Sequence, residues 1–197
     1  MRLYISPASP FARACRIVAR EKGLIDRIEE VMVDPYANPP ELLAANPIAQ
    51  VPALVTEDGL TLSDSAVICD WLDAHGSGPR LLPDGPDRWR VRRVATLANG
   101  ALEMGVKLLL ETRRPQGEQS PSWMSRWTLN LNRALDGLEA EPLRTDPLDV
   151  GAITAAVAAT WLGFRHPGLD WVTGRPALAT LQAKMETRPS FVETFPR

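Results

Sequence analysis

The sequence predicts two architectures in succession: an α/β half with the order β-α-β-α-β-β-α, then an all-helical half. Three observations carry this expectation. Over residues 1–80, short apolar runs alternate with segments whose apolar residues recur at helical spacing. From residue 88 to residue 197 only helical periods recur. Between the halves, SGPRLLPDGPD (77–87) is rich in glycine and proline, which places a linker at 81–87.

Each element has its own reason. LYI (3–5) is a short apolar strand, and FARACRIVAREKG (11–23) carries a helical period that stops at Gly23. IEEVMV (28–33) reads as a second strand. The proline-rich DPYANPP leads to a short helix, ELLAA (41–45). VPALV and LTL flank TEDG, whose Asp58-Gly59 pair marks a hairpin turn. SDSAVICDWLDAHG (63–76) closes the half as a helix ending at Gly76. In the second half, 87–112 forms a long helix with Val91, Val94, Ala95, Ala98, Leu102, Val106 and Leu109 on its apolar face. Residues 122–140 form another, with Trp123, Trp127, Leu131, Ala134, Leu135 and Leu138 on one side. DPLDVGAITAAVAATWLGF (146–164) is small and apolar nearly all round, the pattern of a buried central helix. PALATLQAKMETRP (176–189) is the last amphipathic helix.

Composition narrows function by exclusion. The chain has 197 residues, is 45% hydrophobic and 23% charged, and carries a formal net charge of -2. No basic excess suggests nucleic acid, and no apolar run approaches a membrane span. The two cysteines, Cys15 and Cys69, lie among apolar residues in helical segments, which argues against a disulfide scaffold or a metal site. A reducing cytoplasm is the expected location.

One short stretch raises a chemical question. In SPASPFARACR (6–16), Ser9 precedes Pro10 and the helical pattern starts at once, the signature of a cap followed by proline at the first helical position. A helix start also offers free N–H groups and the positive end of a dipole, so the same serine suits stabilisation of a bound thiolate. An ordinary thiol titrates near about 8.5, and each unit of lowering needs about 1.4 kcal/mol. A charge-assisted hydrogen bond supplies about 1.5–3 kcal/mol, enough for about one or two units. From the residues alone both readings stand, a plain cap and a thiol activator.

NPIAQVPAL (46–54) lies between the second helix and the hairpin, and LSDSAVICDWL (62–72) follows it. With the β-α-β-α-β-β-α half and the helical half, these stretches resemble the cytosolic glutathione transferase family over nearly the whole chain. The resemblance implies a thioredoxin-like glutathione-binding domain at 1–80 and an all-helical domain at 88–197 lining the site for an electrophile. It implies a cis bond at Val51-Pro52, with Val51 pairing its backbone to the cysteinyl part of glutathione. It implies that Asp64 and Ser65 read the γ-glutamyl ammonium and carboxylate. Ser9 matches the cysteine of the omega-class C-P-F motif and the serine of the zeta class, which implies the thiol-activating role. Phe11, Asn38, Gln50 and Pro52 complete the implied glutathione-binding set. In PYANPP only Asn38 stands in for the Lys, Arg or Gln that several classes hold there.

The expectation is therefore a serine-type glutathione transferase acting in detoxification. It joins glutathione, as co-substrate, to a small apolar electrophile, works as a homodimer in the cytoplasm, and needs no metal. Two other readings keep the fold: a glutathione-dependent isomerase, dehalogenase or ether-cleaving enzyme, and a non-catalytic interaction protein. Several polar residues are expected to be structural. Asp146, Pro147 and Asp149 read as a cap, first position and third position of the buried helix. His75 and His166 read as surface residues, and Cys69 as core. Met104, Leu108, Trp123 and Trp161 are the candidates for an acceptor pocket.

Overall fold

The computed structural model describes residues 1–197. In chain order the elements are β1 (Arg2–Ile5), α1 (Pro10–Glu21), β2 (Glu29–Met32), α2 (Pro40–Ala45), β3 (Ala53–Val55), β4 (Thr61–Ser63), α3 (Ser65–His75), α4 (Asp87–Thr112), α5 (Pro121–Glu139), α6 (Val150–Arg165), α7 (Pro176–Met185) and α8 (Pro189–Val192). The chain divides into two units, Met1–Leu82 with Arg188–Arg197, and Pro83–Thr187.

The first unit is built on one sheet of order β2-β1-β3-β4, in which β1 runs parallel to β2 and antiparallel to β3, and β3 antiparallel to β4. Tyr4 and Ala53 pack with Leu42 and Ala45 of α2, flanked by Val31, Val33, Val51 and Val55. Leu3, Ile5 and Leu54 alternate with them and fall on the opposite face of the sheet. Helices α1 and α3 pack together, and their buried Cys15 and Cys69 place sulfurs 3.8 Å apart as free thiols.

The last ten residues correct the expected boundary at the C-terminal end, because they belong to the first unit and lie along α1. Arg188 donates to both carboxylate oxygens of Glu21 at 3.0 and 2.7 Å, and Ser190 donates to the same group at 2.6 Å. The guanidinium of Arg13 donates to the Phe191 carbonyl at 3.1 Å and stacks against the rings of Phe191 and Phe195. The expected linker is also partly tied down. Leu81 and Leu82 are buried, and both of their amides donate to the Asp73 carboxylate, at 2.8 and 3.2 Å. Arg80 and the buried Lys22 complete this cluster, at 2.8 and 3.2 Å from Asp73.

The second unit is helical throughout. Helix α6 has buried residues at every position from Val150 to Leu162, as its all-round small and apolar sequence predicts, and α4 and α7 pack against it. The stripe that α4 presents differs from expectation in its second half. It continues through Ala101, Leu102, Gly105 and Leu108, while Val106 and Leu109 are only partly buried. Gly105 is required there: a Cβ would lie 2.8 Å from the Trp161 ring, and its carbonyl is bonded by the His166 ring at 2.9 Å. His166 and His75 therefore both have partners, the latter stacking on Trp71 with ring centroids 4.0 Å apart. The start of α6 is corrected by three residues. Its cap is Asp149, not Asp146, and the Asp146-Pro147 bond is cis and outside the helix. Upstream of that cap the chain makes a small bridge between Thr145 and Leu148. No helix is long and apolar enough to cross a membrane.

Candidate functional site

The strand register gathers the site. Tyr4, Ala53 and Ser63 stand side by side across β1, β3 and β4. Beyond that row, at one end of the sheet, the chain leaves β1 for Ser9, enters β3 through Val51 and Pro52, and leaves β4 for Asp64 and Ser65. Ile5 pairs with Met32, so β2 also ends there and leads into the loop that carries Asn38. Ser9, Val51, Pro52, Asp64 and Ser65 thus come to the same end of the sheet.

Ser9 caps α1, with its Oγ accepting the Ala12 amide at 3.2 Å. That bond uses an oxygen lone pair and leaves the hydroxyl hydrogen for another acceptor. Pro10 has no N–H, and the amide of Phe11 bonds nothing within the chain. The helix start therefore offers two donors, the Ser9 hydroxyl and the Phe11 amide. Val51 precedes a cis proline, as the resemblance implies, and neither its N–H nor its C=O is bonded within the chain. Its side chain packs on the Tyr4–Leu42 cluster while its backbone polar groups stay available.

Asp64 caps α3, with Oδ1 accepting the Ala66 amide at 2.7 Å. Its second oxygen is uncommitted and the residue is exposed. Its φ of 72° is a conformation that side-chain-bearing residues rarely adopt and that costs about 1–3 kcal/mol, and such outliers cluster at functional sites. Ser65 is buried at the first position of α3, and its carbonyl accepts from the Cys15 thiol at 3.7 Å, which ties α1 to the start of α3. Burial, reinforced by the neighbouring Cys69, holds the Cys15 thiol well above its usual range. It therefore stays protonated and is no rival nucleophile.

The remaining predicted residues read differently. Asn38 is exposed and left-handed, with φ 49°, at the end of the single turn Pro35–Ala37. Asparagine tolerates that backbone, which is a structural reason for its presence. Gln50 is exposed, and its carbonyl accepts from the Asn46 side chain at 2.8 Å. Of the acceptor-pocket candidates, Trp161 is core, buried against Gly105, and Leu108 is buried as well. Trp123 is exposed and stacks on Trp127 at 5.8 Å between centroids. A cavity of about 250 Å³ beside Pro7 and Met32 is lined by none of the predicted site residues. Sequence reasoning missed the Asn46 brace and the Lys22–Asp73 pair. The asparagine stood in the quoted NP stretch, but only the folded loop shows what its side chain holds.

The family model for the glutathione S-transferase N-terminal domain matches residues 8–75, the span from the β1–α1 loop to the end of α3. The chain belongs to the glutathione S-transferase family. It is 34% identical over 202 residues to the GST-like protein YibF of Escherichia coli (strain K12), with 100% of this chain and 98% of that protein covered. Its structure is similar to that of a glutathione transferase family member from Pseudomonas fluorescens Pf-5 with bound glutathione: TM-score 0.94, 34% identity, 100% of this chain and 98% of the other covered. A Pf-5 family member with bound S-(propanoic acid)-glutathione is also similar, with TM-score 0.89, 33% identity and full coverage of both chains.

Proposed function

We propose that this protein is a glutathione transferase in which Ser9 activates the glutathione thiol for attack on an apolar electrophile. The observation that carries the reading is the convergence of Ser9, Val51, Asp64 and Ser65 at one end of a single sheet. Neighbouring strands lie about 4.8 Å apart, so β1 to β4 span about 10 Å, close to an extended tripeptide at about 3.4 Å per residue. The γ-glutamyl carboxylate takes the Ser65 amide and hydroxyl at the start of α3, and Asp64 takes the ammonium. The cysteinyl backbone pairs with Val51 as an added strand would. The sulfur then falls at the start of α1, where the Ser9 hydroxyl and the Phe11 amide both donate to it.

The chemistry follows from that placement. A serine hydroxyl is too weak a base to take the thiol proton, which leaves to water. Ser9 remains neutral and donates a hydrogen bond to the thiolate. The thiolate sulfur attacks the electrophilic carbon, forming a C–S bond as a leaving group departs or as a conjugated double bond accepts the electron pair. Serine at this position cannot form a mixed disulfide, which favours conjugation over thiol exchange. The Pf-5 family member holding S-(propanoic acid)-glutathione supports adducts of this kind as ligands of the site. The protein acts in this reading as a cytoplasmic homodimer.

Calorimetric titration of glutathione, repeated on Ser9→Ala while ultraviolet absorbance follows the thiolate, tests the proposal. Binding by both proteins, with thiolate formed only when Ser9 is present, is the expected outcome. Absence of binding by the unaltered protein overturns it and favours a non-catalytic interaction protein of the same fold.

A further inference from the structure

We propose that Asn46 is a positioning residue for glutathione, holding residues 47–50 in one shape and so setting where the Val51 backbone meets the peptide. The inference rests on the glutathione reading above. Asn46 ends α2 and is 3% exposed, although it begins a surface loop. Its backbone N–H donates to the Leu42 carbonyl at 2.7 Å, which closes the helix. Its carbonyl accepts the Ala49 amide at 2.9 Å. Its side-chain Oδ1 accepts the Ile48 amide at 3.3 Å, and its Nδ2 donates to the Gln50 carbonyl at 2.8 Å. Both main-chain groups and both ends of the side-chain amide are thus engaged, three of the four within the loop.

The loop needs this brace. Ala49 has φ 54°, the left-handed region that a residue with a Cβ rarely enters. Nothing in alanine favours that backbone, so the surrounding hydrogen bonds must impose it, and those on both sides of Ala49 come from Asn46. The next residue after Gln50 is Val51. It is fixed downstream by Pro52, laterally by packing on Tyr4 and Leu42, and upstream only through the loop that Asn46 holds. A peptide that pairs with Val51 meets a backbone already in its bound orientation, so little ordering cost falls on binding. Asn46 touches no atom of the peptide; it acts through Gln50 and Val51.

Calorimetry with glutathione on the full chain tests this. Asn46→Ala is expected to weaken glutathione about tenfold, the worth of about one hydrogen bond. Turnover of chlorodinitrobenzene at saturating glutathione is expected to stay within about threefold, because the Ser9 donor is untouched. Amide hydrogen exchange at Ile48 and Ala49 is expected to accelerate. Asn46→Asp, of the same size, keeps the acceptor for Ile48 but has no donor for Gln50, so it is expected to lose affinity too, and it carries the same test where Asn46→Ala fails to fold. Ala49→Gly, which fits the left-handed backbone, is expected to bind as the unaltered protein does. Equal glutathione affinity in the unaltered protein and in the folded Asn46 variants overturns this inference alone. A fall in turnover as large as the fall in affinity also overturns it, because that marks general disruption. Failure of the unaltered protein to bind overturns the glutathione reading instead.

Discussion

Helices α1 and α6 both begin at a residue whose side-chain oxygen caps the first turn, with a proline close by, and they use that oxygen differently. Asp149 is 5% exposed; its Oδ1 accepts from the Ala152 amide at 2.8 Å and its Oδ2 from the Arg90 guanidinium at 2.9 Å. Both oxygens are committed inside the second unit. Ser9 is only partly buried; its oxygen accepts from the Ala12 amide and its hydroxyl hydrogen stays available. The capping bond is the same in both places, a side-chain oxygen accepting the amide three residues on. What separates scaffold from site is the hydrogen-bonding capacity left over, and whether a ligand can reach it.

The contrast predicts opposite phenotypes. Asp149→Ala removes a cap and leaves Arg90 without its buried partner, and breaking such a pair costs about 3–5 kcal/mol. The unfolding midpoint in urea should fall accordingly, while glutathione affinity of the folded protein stays unchanged. A loss near that of a simple surface cap, about 1 kcal/mol, breaks the comparison at its structural end.

Asp73 extends the same logic to pH. Burial pushes its carboxyl upward, but the Leu81 amide, Arg80, Lys22 and the Leu82 amide together outweigh that and leave it below the usual carboxylate value. The folded group titrates below its unfolded value of about 3.9, so its stabilisation is complete above that pH and is lost as pH falls through the folded value. Asp73→Asn should cost about 3 kcal/mol at neutral pH, because Lys22 stays buried without its counter-charge. The difference between variant and unaltered protein should shrink below about pH 4. A difference that stays constant down to acid pH would mean that Asp73 acts by shape and not by charge.

Ser9→Ala marks the other end of the comparison. Its stability cost should be about 1 kcal/mol, that of a lost serine cap. Its kcat/KM should fall about a hundredfold, the usual loss when one donor to a developing or stabilised anion is removed. Thermal melts and initial rates measured on one preparation give both numbers.

How much of this was legible in the sequence differs between residues. The βαβαββα order and the buried α6 were readable because strand alternation, helical period and stop signals all agree locally. Val51-Pro52 and Asp64-Ser65 were singled out by the family resemblance, and only the strand register shows that they lie at the same end of the sheet as Ser9. Asp146 was misjudged because an aspartate followed by proline imitates a helix start, while Asp149, three residues on, is the one whose side chain accepts the Ala152 amide. Asn46 and Lys22 were missed for a different reason. One is braced by a loop that exists only after folding, and the other meets Asp73 from 51 residues away in the chain. The return of residues 188–197 to α1 depends on Glu21 and Arg13, far upstream, so no window of the C-terminal sequence contains it.

Asp64 is the sharpest test of what distinguishes a cap from a site, because it caps α3 and is exposed. One oxygen caps Ala66 and the other is uncommitted, at a residue whose φ of 72° is strained. Asn caps a helix about as well as Asp. Asp64→Asn therefore keeps the cap and the backbone demand while removing only the charge. If the carboxylate serves α3 alone, stability and glutathione binding both stay near those of the unaltered protein. If it reads the γ-glutamyl ammonium, stability stays within about 0.5 kcal/mol, the span of an ordinary surface change. Glutathione affinity then falls about tenfold, as expected when a charged partner becomes neutral. Raising the salt concentration should narrow that gap, since the exposed carboxylate acts through a screened field. A salt-independent loss would place the effect in the position of α3 and would return Asp64 to the same class as Asp149.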